Sequence, residues 1–291
     1  MSRIRPAALV LLLLATGCSP GAGKPKVKLP HIGETLPFDT ASLESGIDDR
    51  FGGVGACVII AETKSGREVY RYNSNSACMN LLPPCQTFEI PAALIALDAG
   101  KATPGQVVKW PGDPQPVRAW EKDSDLAGAF RDSIGWWFSS VAASVGAPVF
   151  KQRLDGYDYG NKAPEGPVGS FWMGPSQGGR LGVSTRQQAQ FLHRLFNREL
   201  PVTRNAVDVV EGLMTDESRG AYRMESHTGD CPYAADGAMR ASWWVGRLTG
   251  PKQDYVFAAS SLAKSEDALP GRELRQRGKT VFADAGLWPA Q

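Results

Sequence analysis

Residues 83 to 91 read PPCQTFEIP, a stretch in which a turn leads into a helix. Pro84 and Pro91 bracket the turn, and the apolar run AALIAL continues it as a helix. A helix start suits an attacking group, because its free N–H groups and its dipole stabilise nearby negative charge. Gln86 and Glu89 occupy this turn instead, and a polar first turn of this kind is also common in helices without chemistry.

The remaining chemically useful side chains are scattered along the sequence. The histidines His31, His193 and His227 do not cluster, so the sequence predicts no metal site. His193 lies in an apolar helical pattern, which is typical of a packed or surface residue. Ser261 and Lys264 form a serine–lysine pair, but a strand with a period of two would point them to opposite faces. We therefore expect no catalytic pair there.

The N-terminal residues have the pattern of an export signal. A basic segment at residues 2–5 precedes an apolar segment at residues 7–15 that is too short to span a bilayer. The next residues, LATGC, resemble a bacterial lipobox that ends at Cys18, the residue that would carry the lipid. We predict a signal peptide over 1–17 and lipidation of Cys18, with a soluble periplasmic protein as the alternative. Ser19 is consistent with an anchor in the outer membrane.

Composition sets the domain organisation. Residues 18–50 are predicted as the lipidated residue with a flexible tether and lead-in, and residues 51–291 as one folded domain. With 42% hydrophobic residues, 291 residues can bury one large core. The 32 basic and 30 acidic residues are interspersed, for a net charge of +2, which makes nucleic acid an unsuitable partner.

Four cysteines follow Cys18, and an even number in an exported chain permits one or two disulfides in any of three pairings. They are Cys57, Cys78, Cys85 and Cys231. Cys85 directly precedes Gln86, so it is either a thiolate nucleophile or one half of a disulfide. An oxidising compartment favours the disulfide, but the sequence does not choose its partner.

Strand patterns occur at both ends of the predicted domain, with helical patterns between them. The strands are 54–61 and 68–72, joined at 64–66, and two more within 242–263; the helices follow Gln86 and lie at 126–145, 185–197 and 272–287. This order predicts one sheet assembled from distant segments, with a helical insertion.

Several stretches occur in a characteristic order and spacing: YNSNSACMNLLPPCQTFEIPAALIALDAG, VVKWPGDPQPVRAWEKDSDLAGAFRDSIGWW, YDYGN, FWMGPS, SHTG and WWVGRL. Together they resemble the class D β-lactamases, the oxacillinase branch of the penicillin-recognising serine enzymes. The resemblance implies an α/β fold of the β-lactamase/transpeptidase type. Its central antiparallel sheet is flanked by helices and carries an inserted, mostly helical subdomain.

In that family the helix begins with Ser-Thr-Phe-Lys, where the serine attacks the lactam and the carbamylated lysine acts as general base. This chain has Gln86 and Glu89 at those two positions. A carboxamide is no nucleophile for acyl transfer, and a carboxylate cannot be carbamylated. The family's Lys-Ser/Thr-Gly element reads His227-Thr228-Gly229, which removes a fixed positive charge. The resemblance therefore implies that the usual mechanism has lost its parts.

Other family positions are retained and are implied to bind a ligand. They are Ser133, Tyr159, Asn161, Trp172, Thr228, Gly229 and Arg275, with Arg272 and Arg277 close enough to exchange roles with Arg275. The adjacent pairs Trp136-Trp137 and Trp243-Trp244 are expected to serve core packing.

The sequence thus predicts an exported lipoprotein that faces the periplasm and is a catalytically degenerate relative of the class D β-lactamases. The expected ligand is a β-lactam, a peptidoglycan stem peptide or an envelope protein partner, with no cofactor. The alternative is an active β-lactamase or hydrolase that uses Cys85 or a water activated by Glu89. A third hypothesis is an interaction protein whose cleft is vestigial.

Overall fold

The computed structural model describes residues 36–51, 54–231, 239–264, 267 and 269–290. The predicted signal peptide, the lipidation at Cys18, His31 and the tether up to residue 35 lie outside these residues. Within the described part of the chain, no helix is both long and apolar enough to cross a membrane.

Six strands form one fully antiparallel sheet in the order β2-β1-β6-β5-β4-β3. They are β1 (Gly55–Glu62), β2 (Glu68–Asn73), β3 (Thr215–Arg219), β4 (Tyr222–Asp230), β5 (Met239–Gly250) and β6 (Gln253–Lys264). The predicted hairpin at the start and the strand pair at the end are both confirmed. Because β1 pairs with β6, the two ends of the chain build one sheet around everything between β2 and β3.

Eight α-helices lie in the described residues, six of them between β2 and β3. They are α1 (Thr40–Phe51), α2 (Glu89–Asp98), α3 (Leu126–Asp132), α4 (Gly135–Val145), α5 (Ala147–Tyr157), α6 (Thr185–Phe196), α7 (Arg204–Leu213) and α8 (Gly271–Asp284). The helical pattern at 126–145 is two helices, because Ser133 adopts a left-handed φ of 47° that ends α3. The α/β fold with a helical insertion is confirmed.

The two faces of the sheet carry separate cores. The helical insertion covers one face, where Phe88, Trp137 and Trp243 are buried together. Helices α1 and α8 cover the other, where Trp244 packs with Val281. Neighbouring strand residues point to opposite faces, so the adjacent tryptophans of β5 each fill a different core. Their predicted packing role is confirmed.

Helix α1 lies in the range predicted as tether and lead-in. Leu43 and Ile47 are fully buried on it, and α1 packs along α8. The backbone N–H of Asp39 donates to the carbonyl of Ala285 at 2.9 Å. The folded body therefore begins ahead of residue 51, and the predicted boundary was too late. Apolar residues at 43, 47 and 51 share one face of a helix, a signal that the composition of the tether obscured.

Candidate functional site

The turn that enters α2 is a short 3-10 segment, Cys85–Phe88. Residues three apart are eclipsed in such a turn, so Gln86 and Glu89 share a face. The turn is fixed by buried hydrogen bonds: Thr87 Oγ1 donates to the carbonyl of Pro84 at 2.6 Å, and Gln188 Nε2 donates to Thr87 Oγ1 at 2.8 Å. The positions where the family places its reactive pair are thus held rigidly beside the sheet.

Strand β4 supplies the opposite wall. Alternate residues of this strand face α2, and Gly229 lies so close that a Cβ there would approach the backbone nitrogen of Thr87 to 2.7 Å. Glycine is required at this point because any side chain would push the strand away from the turn. The close approach brings His227 and Asp230 next to Glu89 and Gln86.

Glu89 is the centre of a buried polar cluster. Its Oε2 lies 3.0 Å from His227 Nε2 and accepts a hydrogen bond from Ser133 Oγ at 3.1 Å. The side chains of Glu89 and His227 are only 3% and 9% exposed, and the imidazole stacks on the ring of Phe130 at 4.1 Å. Burial raises the pKa of Glu89, and the bonds from His227 and Ser133 oppose this only in part.

Gln86 is held by the other wall. The backbone N–H of Asp230 donates to Gln86 Oε1, which joins the start of the turn to the end of β4. The carboxylate of Asp230 is itself occupied, because it accepts from the N–H of Gly271 at 2.7 Å and from Ser242 Oγ at 3.0 Å. Both the backbone N–H and the carboxylate of Asp230 are therefore already bonded within the protein.

Two disulfides are present, Cys57–Cys78 and Cys85–Cys231. The second joins the residue before Gln86 to the residue after Asp230, so both walls are covalently linked where they meet. Cys85 is fully buried. The interpretation of Cys85 as a thiolate nucleophile is wrong for this structure, because its sulfur is bonded to Cys231.

Three retained family positions have packing and loop roles. Trp172 is buried and stacks on Phe88 at 5.0 Å, and Tyr159 is buried with its hydroxyl 3.3 Å from Gln188 Oε1. Asn161 binds the loop beside it, since its Nδ2 donates to the carbonyl of Arg180 at 2.9 Å. The structure brings none of these three side chains into the cluster around Glu89.

The predicted anion-binding residues lie around the first turns of α8. Thr228 faces this helix and packs against Gly271. Arg275 is directed to β3, where its guanidinium pairs with Asp216 at 3.1 Å. Arg272 follows Gly271 directly, is exposed, and makes no ion pair or hydrogen bond within the described part of the chain. Of the two arginines, Arg272 is the one whose charge is unpaired near this end of β4.

His193 is part of α6, and its Nδ1 lies 2.7 Å from the carbonyl of Thr63, a contact between secondary-structure elements. Across residues 36–51, 54–231, 239–264, 267 and 269–290, no three His, Cys, Asp or Glu side chains are grouped to hold a metal ion. Sequence reasoning missed Phe130 and Gln188, whose roles depend on contacts from distant segments.

Residues 53–271 match the model of the penicillin binding protein transpeptidase domain. The chain belongs to this transpeptidase family. Among its relatives are β-lactamase OXA-5 of Pseudomonas aeruginosa, 32% identical over 65% of this chain and 70% of the relative, and β-lactamase OXA-48 of Klebsiella pneumoniae, 29% identical over 74% and 79%.

Solved structures agree with the fold. The class D β-lactamase from Bacillus subtilis aligns with a TM-score of 0.74 at 24% identity, over 84% of this chain and 97% of that one. The BPu1 β-lactamase aligns with a TM-score of 0.73 at 23% identity, over 84% and 98%. The predicted resemblance to class D β-lactamases is confirmed. This transpeptidase-family chain carries Gln86 and Glu89 in the turn that enters α2.

The raised pKa of Glu89 predicts a pH-dependent stability for this transpeptidase-family chain. The folded chain keeps the Glu89 proton at pH values where the unfolded chain, with a pKa near the ordinary 4.5, has lost it. The contribution of Glu89 is therefore most favourable below this value and declines as the pH rises through the folded pKa. Glu89→Gln keeps the shape and removes the titration, so wild type should lose stability relative to Glu89→Gln with rising pH.

The measurement is urea unfolding of both proteins from about pH 4 to pH 8. Glu211 and Glu225, whose pKa values are also raised by burial, titrate in both proteins, so their effects cancel in the difference. The prediction is contradicted if the difference in free energy of unfolding between wild type and Glu89→Gln stays constant with pH. It is also contradicted if wild type becomes relatively more stable as the pH rises.

Proposed function

We propose that this chain is a catalytically inactive member of the transpeptidase family that binds its ligand or partner reversibly at the cleft that the resemblance to class D β-lactamases implies between α2 and β4. The observation that carries the proposal is the hydrogen bond from the Asp230 N–H to Gln86 Oε1. Acyl transfer at residue 86 needs a nucleophile and a free N–H donor for the developing oxyanion. Gln86 supplies no nucleophile, and its side-chain oxygen already accepts the hydrogen bond that the Asp230 N–H would donate to an oxyanion.

The second chemical position supports the same conclusion. Glu89 Oε2 is engaged by both His227 and Ser133, so the group in the position of the general base is bound within the protein. The polar groups that would act on a substrate are satisfied by one another instead. A ligand can contact this surface without a covalent step.

The ligand classes that fit the family are β-lactams and the D-Ala-D-Ala ends of peptidoglycan stem peptides, since the relatives carry the name β-lactamase. Arg272, unpaired and directly after Gly271, is the cation that we assign to a ligand carboxylate, and Thr228 packs against Gly271. Arg275 would first have to leave Asp216.

An exported location belongs to the same proposal. The N-terminal sequence supports lipidation of Cys18, a domain that faces the periplasm and an anchor in the outer membrane. Two disulfides support it, because disulfides persist in oxidising compartments such as the bacterial periplasm. A protein partner in the envelope is an alternative occupant of the cleft.

The proposal predicts that benzylpenicillin leaves the mass of the purified protein unchanged and that nitrocefin is not hydrolysed above the buffer rate. An active class D β-lactamase, run in parallel, serves as the positive control. Reversible binding is expected to raise the melting temperature with increasing ligand concentration. A covalent adduct, or steady hydrolysis, would overturn the proposal. If neither benzylpenicillin nor a stem peptide shifts the melting temperature, the protein partner becomes the leading occupant.

One observation favours a second candidate, a hydrolase that uses a water activated by Glu89. Burial raises the pKa of Glu89, as is common for catalytic carboxyl groups. Glu89→Gln discriminates between the two candidates: a hydrolase would lose its turnover in this variant, whereas the inactive protein has none to lose.

A further inference from the structure

The orientation of the Gln86 side-chain amide is fixed by its partner. A backbone N–H can bond only an acceptor, so the oxygen of the carboxamide faces the N–H of Asp230. The disulfide Cys85–Cys231 links the residues on either side of this bond. The nitrogen of the carboxamide must therefore point away from the end of β4.

The amide nitrogen of Gln86 donates to no other residue in the described part of the chain. The neighbouring acceptor, Glu89 Oε2, already takes bonds from His227 and Ser133. Gln86 is partly exposed, whereas Glu89, Thr87 and Gly229 around it are buried. Gln86 thus presents two N–H donors at the protein surface beside the turn that enters α2, on a side chain that cannot turn without breaking its bond to Asp230.

We infer that Gln86 is a specificity-determining residue whose amide nitrogen donates to an uncharged acyl oxygen of the ligand, in a lactam or a peptide bond. The inference rests on the proposed reversible binding at this cleft. Where an ester would form in an active relative, this chain offers a hydrogen bond to the same kind of carbonyl. A carbonyl oxygen suits the site better than a second carboxylate, because the carboxyl group of Glu89 lies one turn away.

Gln86→Glu is the matched test of this inference. The variant keeps the length and planarity of the side chain and retains an oxygen for the Asp230 N–H, but it replaces the donor with an acceptor. Gln152→Glu, at an exposed position of α5, is the control for the change in net charge. Gln86→Ala removes the donor without adding charge, which separates the lost bond from repulsion.

The probes are benzylpenicillin and diacetyl-L-Lys-D-Ala-D-Ala, measured separately by calorimetry, so that a lactam source and a peptide source of the carbonyl are distinguished. Gln86→Glu is expected to weaken binding at least about tenfold, Gln86→Ala several-fold, and Gln152→Glu not at all. Melting curves of the free variants verify that each is folded.

The outcomes separate this inference from the proposed function. Equal binding by wild type and Gln86→Glu overturns the inference and leaves reversible binding intact. Tighter binding by Gln86→Glu also overturns it, because the ligand would then present a donor. Failure of wild type to bind either probe overturns the inference, whereas a covalent adduct on wild type overturns the proposed function itself.

Discussion

Replacing both Cys85 and Cys231 with alanine is expected to lower the free energy of unfolding by about 5 kcal/mol. The two residues are 146 positions apart, so the crosslink closes a long loop and removes much of the conformational freedom of the unfolded chain. Urea unfolding under non-reducing conditions measures the loss. The variant is also expected to separate β4 from the α2 turn, because the disulfide joins these two walls.

The second disulfide provides the matched control. Cys57 and Cys78 are only 21 positions apart, and the same loop-closure relation gives about 3 kcal/mol for their replacement with alanine. Equal losses for the two pairs would show that loop length does not set the stabilisation. A larger loss for the short loop would contradict the prediction.

His227→Leu is expected to lower the free energy of unfolding by about 3–5 kcal/mol at neutral pH. The change keeps an apolar side chain beside Phe130 but leaves Glu89 buried without its main partner. An uncompensated buried carboxylate is strongly destabilising because nothing replaces the water that it has lost. Since the pKa of Glu89 is raised, the loss should shrink as the pH falls and the carboxyl group takes up a proton.

The double variant Glu89→Met/His227→Leu completes the cycle. It replaces the whole pair with apolar side chains, and such replacements are often neutral or stabilising, so it should be more stable than His227→Leu alone. The single variant Glu89→Met is the fourth member of the cycle. If the losses of Glu89→Met and His227→Leu simply add in the double variant, Glu89 and His227 do not interact. That result would also remove the physical basis for the buried polar cluster around Glu89.

Local patterns in the sequence were sufficient for much of the fold. The first hairpin and the closing pair of strands have apolar periodicities that are complete within each segment. Helix α6 was equally readable, because Ser184 and Gln187 form a reciprocal capping box ahead of an apolar stripe. The end of α3 at Ser133 could not be predicted from the sequence. Ser133 adopts a left-handed backbone conformation, which a glycine would have signalled and a serine does not.

The candidate site was only half predictable. The resemblance located Gln86, Glu89, Ser133 and His227, and the structure brings the last three together. The pairing of Gln86 with Asp230 depends on a contact across 144 residues, which no local pattern encodes. The same holds for Arg275, whose partner on β3 approaches only when the sheet and α8 are assembled.

The contact between Asp39 and Ala285 has a practical consequence for handling the molecule. Helices α1 and α8 bring the two ends of the described body side by side, on the sheet face opposite α2. A short glycine-rich linker could therefore join these ends into a circularly permuted chain, with new termini at the exposed residues 64 and 65. If the permuted protein is attached to a surface through those new termini, its orientation differs from that of a protein attached through its original ends. The binding of a ligand can then be measured in two orientations.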